Sequence, residues 1–326
     1  MPTIPVILDV DTGVDDALAI LFAVAHPDIE VLGISCVAGN ASLERVVENT
    51  LRILDVANAP DIPVAAGARR PLISPARSAS HVHGESGLGT VHLPPSSRTP
   101  APVNAVELLH RLISESARPV TLVALAPQTN LALLLRQYPD LAENIERIVF
   151  MGGSASVGNA TAVAEFNVWH DPEAAAIVLD AGIPTFMYGL DVFNQVAIDR
   201  EVATALEDGD STQGRVVGAL LTNRVARGES SMAEYTGLIG DAGAICALVD
   251  PQALSTRMLP VRVELTGYGR GQTIVDQRSR LGEDTLHGSI DSWEVVEVAL
   301  DVDAPRFAAL FLDTLGLTPP VPRAVT

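Results

Sequence analysis

The feature that most limits how this chain can fold is an alternation of short apolar runs with helical segments along its first 190 residues. Pro5-Val6-Ile7-Leu8 contains no polar residue, and 30–37 is nearly as apolar. A strand with one wet face alternates apolar and polar side chains. A run that does not alternate is covered on both faces. Between these runs, 15–25 reads as a helix stopped by His26-Pro27, and 42–57 as a long amphipathic helix. The pattern continues with a third short strand at 62–67, a helix at 103–116, strands at 120–125 and 145–151, and a helix at 130–137. A helix at 171–180 carries Pro172 in its first turn, and a sixth strand follows at 185–190. Strands separated by helices of this length predict an α/β fold: an open, mostly parallel sheet with helices on both faces. The region 261–303 mixes a β-rich piece with polar turns and ends strand-like at 293–299. With no internal repeat and no linker, 1–326 reads as a single α/β domain.

Composition then removes several functions. The chain has 21 basic and 40 acidic residues, a formal charge of −19, which opposes nucleic acid and anionic membranes. All the basic residues are Arg. Without Lys there is no Schiff-base lysine, no phosphate-loop lysine and no pyridoxal attachment. Cys36 and Cys246 lie far apart in apolar runs, as expected of buried, reduced thiols, and two cysteines cannot build a four-thiolate zinc site. The first residues lack the basic region of a signal peptide, and the apolar stretch 17–25 is too short to span a membrane. A cytoplasmic protein is expected.

The chemistry concentrates in Asp9-Val10-Asp11-Thr12-Gly13-Val14-Asp15-Asp16. Four carboxylates fall at the end of a buried strand and the start of a helix. Asp15 and Asp16 alone could be acidic residues favoured at a helix N-terminus. That does not account for Asp9 and Asp11, which leave the strand on the same side. Converging carboxylates repel unless a cation sits among them, and a donor set of hard oxygens suits Ca²⁺ or Mg²⁺.

Further polar residues cluster at the same edge of the sheet. Asn40 follows the second strand, and Gln128-Thr129-Asn130 the fourth. Asn159 and Glu165-Phe166-Asn167 follow the fifth, and Asp241 opens an apolar helix at 242–249. Singly, Asn40, Asn130 and Asp241 could be helix caps. Together, amides and carboxylates on one rim suit a ligand with many hydroxyls. The polar stretches 74–102 and 152–167 are loops at strand C-terminal ends, where open parallel sheets place their ligands.

The Asp9–Asp16 motif, Val37-Ala38-Gly39-Asn40, His83-Gly84-Glu85-Ser86-Gly87-Leu88-Gly89, Glu165-Phe166-Asn167 and Asp171-Pro172-Glu173-Ala174-Ala175 occur in an order and spacing that resemble the inosine-uridine-preferring nucleoside hydrolases. The resemblance spans nearly the whole chain. It implies a Rossmann-like nucleoside hydrolase fold and a Ca²⁺-dependent N-ribohydrolase acting on ribonucleosides, assembled as a homodimer or homotetramer. Carried over by position, Asp11, Asp16, the Thr129 carbonyl and Asp241 would hold the metal, and Asp11 would deprotonate a metal-activated water. Asp15 and Asn40 would hold the ribose 2′-hydroxyl, with Asp241 also lining the substrate site. Asn159, Glu165 and Asn167 would hold the 3′ and 5′ hydroxyls. Asp9 would organise the loop, and His83 would lie near the base as a catalytic group.

One position departs from the family. Many members carry His, others Trp, just before the last metal Asp, whereas this chain reads Leu238-Ile239-Gly240-Asp241. Gly240 can neither protonate a leaving base nor stack on it, which leaves His83 or Tyr235 as donors. Restoring a histidine at 240 is expected to speed the cleavage of natural nucleosides. Two rivals are a calcium-dependent ribonucleoside-binding relic without turnover and a haloacid-dehalogenase-like phosphohydrolase. The latter shares Asp-x-Asp at the first strand, but Gly13 stands where it needs Thr or Val, and its lysine is absent. Gly267-Tyr268-Gly269-Arg270-Gly271 reads as a hairpin turn, and no Gly-x-Ser-x-Gly elbow occurs.

Overall fold

A computed structural model describes residues 3–79, 83–84, 86–223, 237–280, 282–288 and 293–317. Among them, nine strands form one sheet: β1 (Ile4–Val10), β2 (Ile29–Cys36), β3 (Val64–Ala66), β4 (Val120–Ala124), β5 (Ile145–Met151), β6 (Thr185–Tyr188), β7 (Leu254–Val263), β8 (Thr273–Val275) and β9 (Glu294–Val302). Their order is β3-β2-β1-β4-β5-β6-β9-β7-β8. The pairs from β3 to β9 are parallel, and β7 and β8 add an antiparallel margin.

The unalternating strands are buried as expected. Val6, Leu8 and Val10 of β1 belong to an apolar layer with α1 (Val14–Ala25), α2 (Leu43–Val56) and the helices Ala242–Val249 and Ala304–Thr314. Ile7 points into the opposite layer, with the helices Ala105–Glu115, Thr129–Gln137 and Pro172–Leu179. Helices therefore cover both faces.

The chain runs outward from β1 to β2 and β3, then crosses to β4 on the other side of β1. The connections leaving β1 and β4 diverge there and open a crevice at the strands' C-terminal ends. Asp11 and Thr129 lie on its two sides. Helix α1 packs along the helix Ala242–Val249, which sets Asp241 beside the start of α1 although 225 or more residues separate them in sequence. Cys36 and Cys246 are both buried and free.

Three features were not legible. The helices Arg200–Glu207 and Thr212–Leu221 fall in a stretch with no element assigned from sequence. Strand β9, nearly last in the chain, inserts between β6 and β7 and continues the parallel order. Strand β7 begins at Leu254, earlier than the expected β-rich piece. The hairpin turn at Gly267–Gly269 is present, between antiparallel β7 and β8.

Candidate active site

Strand β1 ends at Val10, and α1 begins at Val14. The Asp16 carboxylate folds back over this junction and accepts the Asp11 N–H at 3.1 Å and the Gly13 N–H at 2.9 Å. Asp16 therefore caps its own helix from the third position, so the helix-terminus reading of this residue is correct as far as it goes. Asp11 faces the neighbouring loop. It accepts the Asn40 N–H at 2.6 Å and the Asn40 Nδ2 at 3.0 Å, and the same amide nitrogen lies 3.2 Å from Asp16. Asn40 thus ties Asp11 to Asp16 and is no helix cap; the cap position of α2 belongs to Ser42.

Gly39 makes this approach feasible. A Cβ there would sit 2.0 Å from Asp11 Oδ2. Asp9 is held one layer below, accepting Ser35 Oγ at 2.6 Å and Asn130 Nδ2 at 2.8 Å. Asn130 also donates to the Cys36 carbonyl and accepts the Ala68 N–H. It is a strut joining the ends of β1, β2 and β3, with Gln128 in the cap position beside it.

On the other side of the crevice, Thr129 Oγ1 donates to Asp171 at 2.7 Å. Asp171 also accepts the Leu72 and Ala174 N–H groups, which fixes the loop after β3 and starts the helix Pro172–Leu179. The sequence shows Asp171 only as part of a family motif; its bond to Thr129 is visible only in the fold. Glu165 caps the helix Phe166–His170 through the Asn167 and Val168 N–H groups and also accepts from Gly153. The Asn167 amide donates to the Leu125 and Met151 carbonyls, at the ends of β4 and β5, so its Oδ1 is the atom left to meet a ligand. Asn159 is exposed and accepts the Phe166 N–H at 2.9 Å. His83 lies against Gly13 and accepts the Val14 N–H at Nδ1, 3.3 Å away; a neutral ring accepting there carries its proton on Nε2. Tyr235 and Glu85 lie outside the described residues.

The electrostatics are those of a buried acidic pocket: burial raises the pKa of Asp16 against the Gly13 N–H and the neighbouring His83, which lower it. Burial raises the pKa of Asp11, with the neighbouring Asp16 charge adding to it. Asp241 is raised in the same way by burial and by Asp16, Asp15, Asp11 and Glu165. Burial alone raises Asp15 to about 6, and burial lifts Glu165 and Asp9 to about 7 against the hydrogen bonds that lower them. No ion pair links any of these carboxylates to an Arg among the described residues.

Whether the residues fit a hard cation divides into geometry and chemistry. Among the described residues, no three His, Cys, Asp or Glu side chains converge tightly enough to hold an ion as they stand. The donor chemistry does fit. The Asp241 carboxylate, at the start of its helix, makes no capping bond. Asp9 Oδ2 and Gln128 Oε1 are buried at the same edge without a partner. Both are oxygen acceptors, which a cation and its waters would satisfy.

Gly240 overturns one expectation. Its φ is +57°, the left-handed region, and a Cβ there would lie 2.7 Å from Asp15 Cβ and 2.8 Å from its Cγ. A histidine would strain the turn and collide with Asp15, so Gly240→His cannot simply restore a proton donor.

Comparison with known proteins agrees with this architecture. Residues 6–309 match the family model described as inosine-uridine preferring nucleoside hydrolase. The pyrimidine-specific ribonucleoside hydrolase RihA of Shigella boydii is 40% identical over 96% of this chain and 98% of its own. That of Salmonella gallinarum is 39% identical over the same shares. Among solved structures, a plant nucleoside hydrolase superposes with a TM-score of 0.89 at 30% identity, covering 98% of this chain and 100% of its own. The purine-preferring ribonucleoside hydrolase of Gardnerella vaginalis gives 0.85 at 31%, over 96% and 98%.

Proposed function

The chain belongs to the inosine-uridine preferring nucleoside hydrolase family, and from that premise we propose that it hydrolyses the N-glycosidic bond of ribonucleosides to ribose and free base with the help of Ca²⁺. The observation that carries the reading is the gathering of Asp11, Asp15, Asp16 and Asp241 around the crevice between β1 and β4, with no guanidinium paired to them among the described residues. The relatives at about 40% identity are named pyrimidine-specific, so pyrimidine ribonucleosides are the first substrates to try.

Breaking a C–N glycosidic bond develops positive charge on the ribose ring. Fixed carboxylates stabilise that charge without reorganising. Asp11, locked by two bonds from Asn40, serves as the base that takes the proton of the attacking water. Asp15 and Asn40 face the 2′-hydroxyl. Glu165 and the Asn167 Oδ1 receive the other hydroxyls, and Asn159 closes that end. Asp11, Asp16, Asp241 and the Thr129 carbonyl would hold Ca²⁺, which when bound offsets their mutual repulsion and acidifies a water. With Gly240 unable to donate, His83 is the described residue best suited to the base side. Assembly as a homodimer or homotetramer and a cytoplasmic location belong to the same proposal. No helix among the described residues is long and apolar enough to cross a membrane.

The test is a panel of ribonucleosides assayed for free reducing sugar, before and after chelation and with Ca²⁺ restored, alongside elemental analysis. Ribose release that is lost on chelation and regained with Ca²⁺ is the expected result. Binding without release would identify a relic, and release indifferent to chelation would remove the metal from the proposal.

A further inference from the structure

Two adjacent residues of α2 reach into the acidic loop from behind. Thr50 Oγ1 lies 2.6 Å from Thr12 Oγ1 and donates to the Val46 carbonyl at 2.8 Å, so the Thr12 hydroxyl donates to Thr50. Asn49 takes the main chain of the same residue: its Nδ2 donates to the Thr12 carbonyl at 3.2 Å. That nitrogen also donates to the Ser86 carbonyl at 2.9 Å. Both amide protons are thereby committed, one to each loop. The side chain is buried, at 2% exposure.

Ser86 lies three residues beyond His83. The Gly89 N–H bonds to the His83 carbonyl at 2.7 Å and the Gly87 N–H to the Gly84 carbonyl at 3.1 Å, which braces this loop internally. A shift at Ser86 is therefore passed on to His83. The ring itself meets the Val14 N–H at 3.3 Å, a long bond that holds it loosely. Its placement depends on the loop that carries it. A second anchor, from the Thr90 N–H to Asn223 Oδ1 at 3.3 Å, is exposed.

We propose that Asn49 is a positioning residue for the leaving-group side of the reaction: one buried amide bonds the Thr12 carbonyl beside Asp11 and the Ser86 carbonyl beside His83, and so fixes the histidine that faces the departing nucleobase relative to the carboxylate that acts on water. The proposal rests on the hydrolase reading above. Asp11 keeps its two bonds from Asn40, and Asp16 its bonds to the loop, when Asn49 is cut. Activation of water then survives, while His83 loses its register. The loss falls on substrates whose leaving group needs a proton and spares p-nitrophenyl riboside.

The experiment measures kcat and KM for uridine and p-nitrophenyl riboside in the wild type, Asn49→Ala, His83→Ala, the double variant and Thr50→Val, with thermal unfolding of each. The uridine to p-nitrophenyl riboside ratio of kcat/KM should fall roughly tenfold or more in Asn49→Ala, a share of the roughly 10²–10⁴-fold that a positioned proton donor supplies. The double variant should fall no further than His83→Ala. Thr50→Val, which frees the Thr12 side chain but leaves the bond to Ser86, should keep the wild-type ratio. An equal fall for both substrates in a folded Asn49→Ala overturns the proposal, as does a wild-type ratio in His83→Ala or a collapsed one in Thr50→Val. If Asn49→Ala does not fold, Gly87→Ala decides. Its Cβ would stand 2.8 Å from Asn49 Nδ2 and push the loop off the amide, so the ratio should fall likewise, and a wild-type ratio overturns the proposal. A wild type that releases ribose from neither substrate overturns the hydrolase reading itself, whereas the other failures leave that reading standing.

Discussion

Gly39→Ala is the sharpest probe of how the acidic pocket is held. Gly39 is not among the residues with positive φ, so alanine is compatible with its backbone. The obstacle is contact. The added Cβ would lie 2.0 Å from Asp11 Oδ2, 2.9 Å from its Cγ and 3.0 Å from Pro127 Cδ. An unstrained C···O contact is about 3.3 Å, so Asp11 or the Asn40 loop must give by about 1 Å. Either movement breaks the 2.6 Å bond from the Asn40 N–H to Asp11. Misplacing a reacting group by about 1 Å costs roughly 10²-fold in rate, or about 2.7 kcal/mol of transition-state stabilisation. Overpacking at one well-filled position costs about 1–3 kcal/mol of stability. Reducing-sugar release should therefore fall about a hundredfold in kcat/KM while the protein still unfolds cooperatively, a few degrees lower. Undiminished kcat/KM in Gly39→Ala would show that Asp11 does not need this placement, and the base would have to be sought elsewhere.

Asp11→Asn should lower kcat by roughly 10²–10⁴, the scale of a lost general base, with little change in melting temperature; near-native turnover would contradict its role. p-Nitrophenyl riboside, whose leaving group needs no proton, should be cleaved faster than uridine or inosine, because Gly240 supplies no acid. Equal rates would reveal another donor, and loss of uridine hydrolysis in His83→Ala would name it. His170 is buried with neither ring nitrogen partnered, and burial, aided by the charge of Arg77, lowers its pKa from 6.5 to about 4. The unfolded chain then takes up this proton before the folded one, so stability is retained above about 6.5 and lost as pH falls towards 4. Between pH 7 and 5 the loss is about 2 kcal/mol. Asp9, Asp15 and Glu165, with raised pKa values, act in the opposite sense, so the comparison to make is denaturant unfolding of wild type against His170→Phe. An unchanged pH slope in the variant would refute the assignment.

The layer architecture was legible because burial on both faces leaves a local mark: β1, β2, β4 and β5 lack alternation. Strand order was not, since β9 joins β6 through pairings between residues more than a hundred positions apart, and no local pattern encodes that choice. The acidic motif marked the site because four carboxylates have no adequate apolar explanation. Asn130 misleads as a candidate cap, and Asp171, which does cap its helix, carries a second bond that no sequence pattern announces. Asn and Asp serve equally as caps and as cross-braces, and only the fold shows Asn130 bonding Asp9 and Asp171 bonding Thr129. At Gly240 the letter could be read as a missing donor, whereas its φ and its contact with Asp15 exist only in three dimensions.

The two buried thiols lie in one apolar layer behind the acidic pocket, on two different elements, and this gives the protein a native clock for its own opening. Cys36 ends β2, with its Sγ 3.5 Å from Thr50 Oγ1, and burial together with the nearby carboxylates pushes its pKa up to about 12. Cys246 lies on the helix that Asp241 begins, and burial raises its pKa too. Neither can react as a thiolate in the closed protein. A thiol-specific reagent therefore records the frequency with which the end of β2 or the start of that helix detaches, without any introduced label. An occupant that pins Asp11 to Asp241 should slow both modifications together, and two rates that respond separately would mean the walls of the crevice breathe independently.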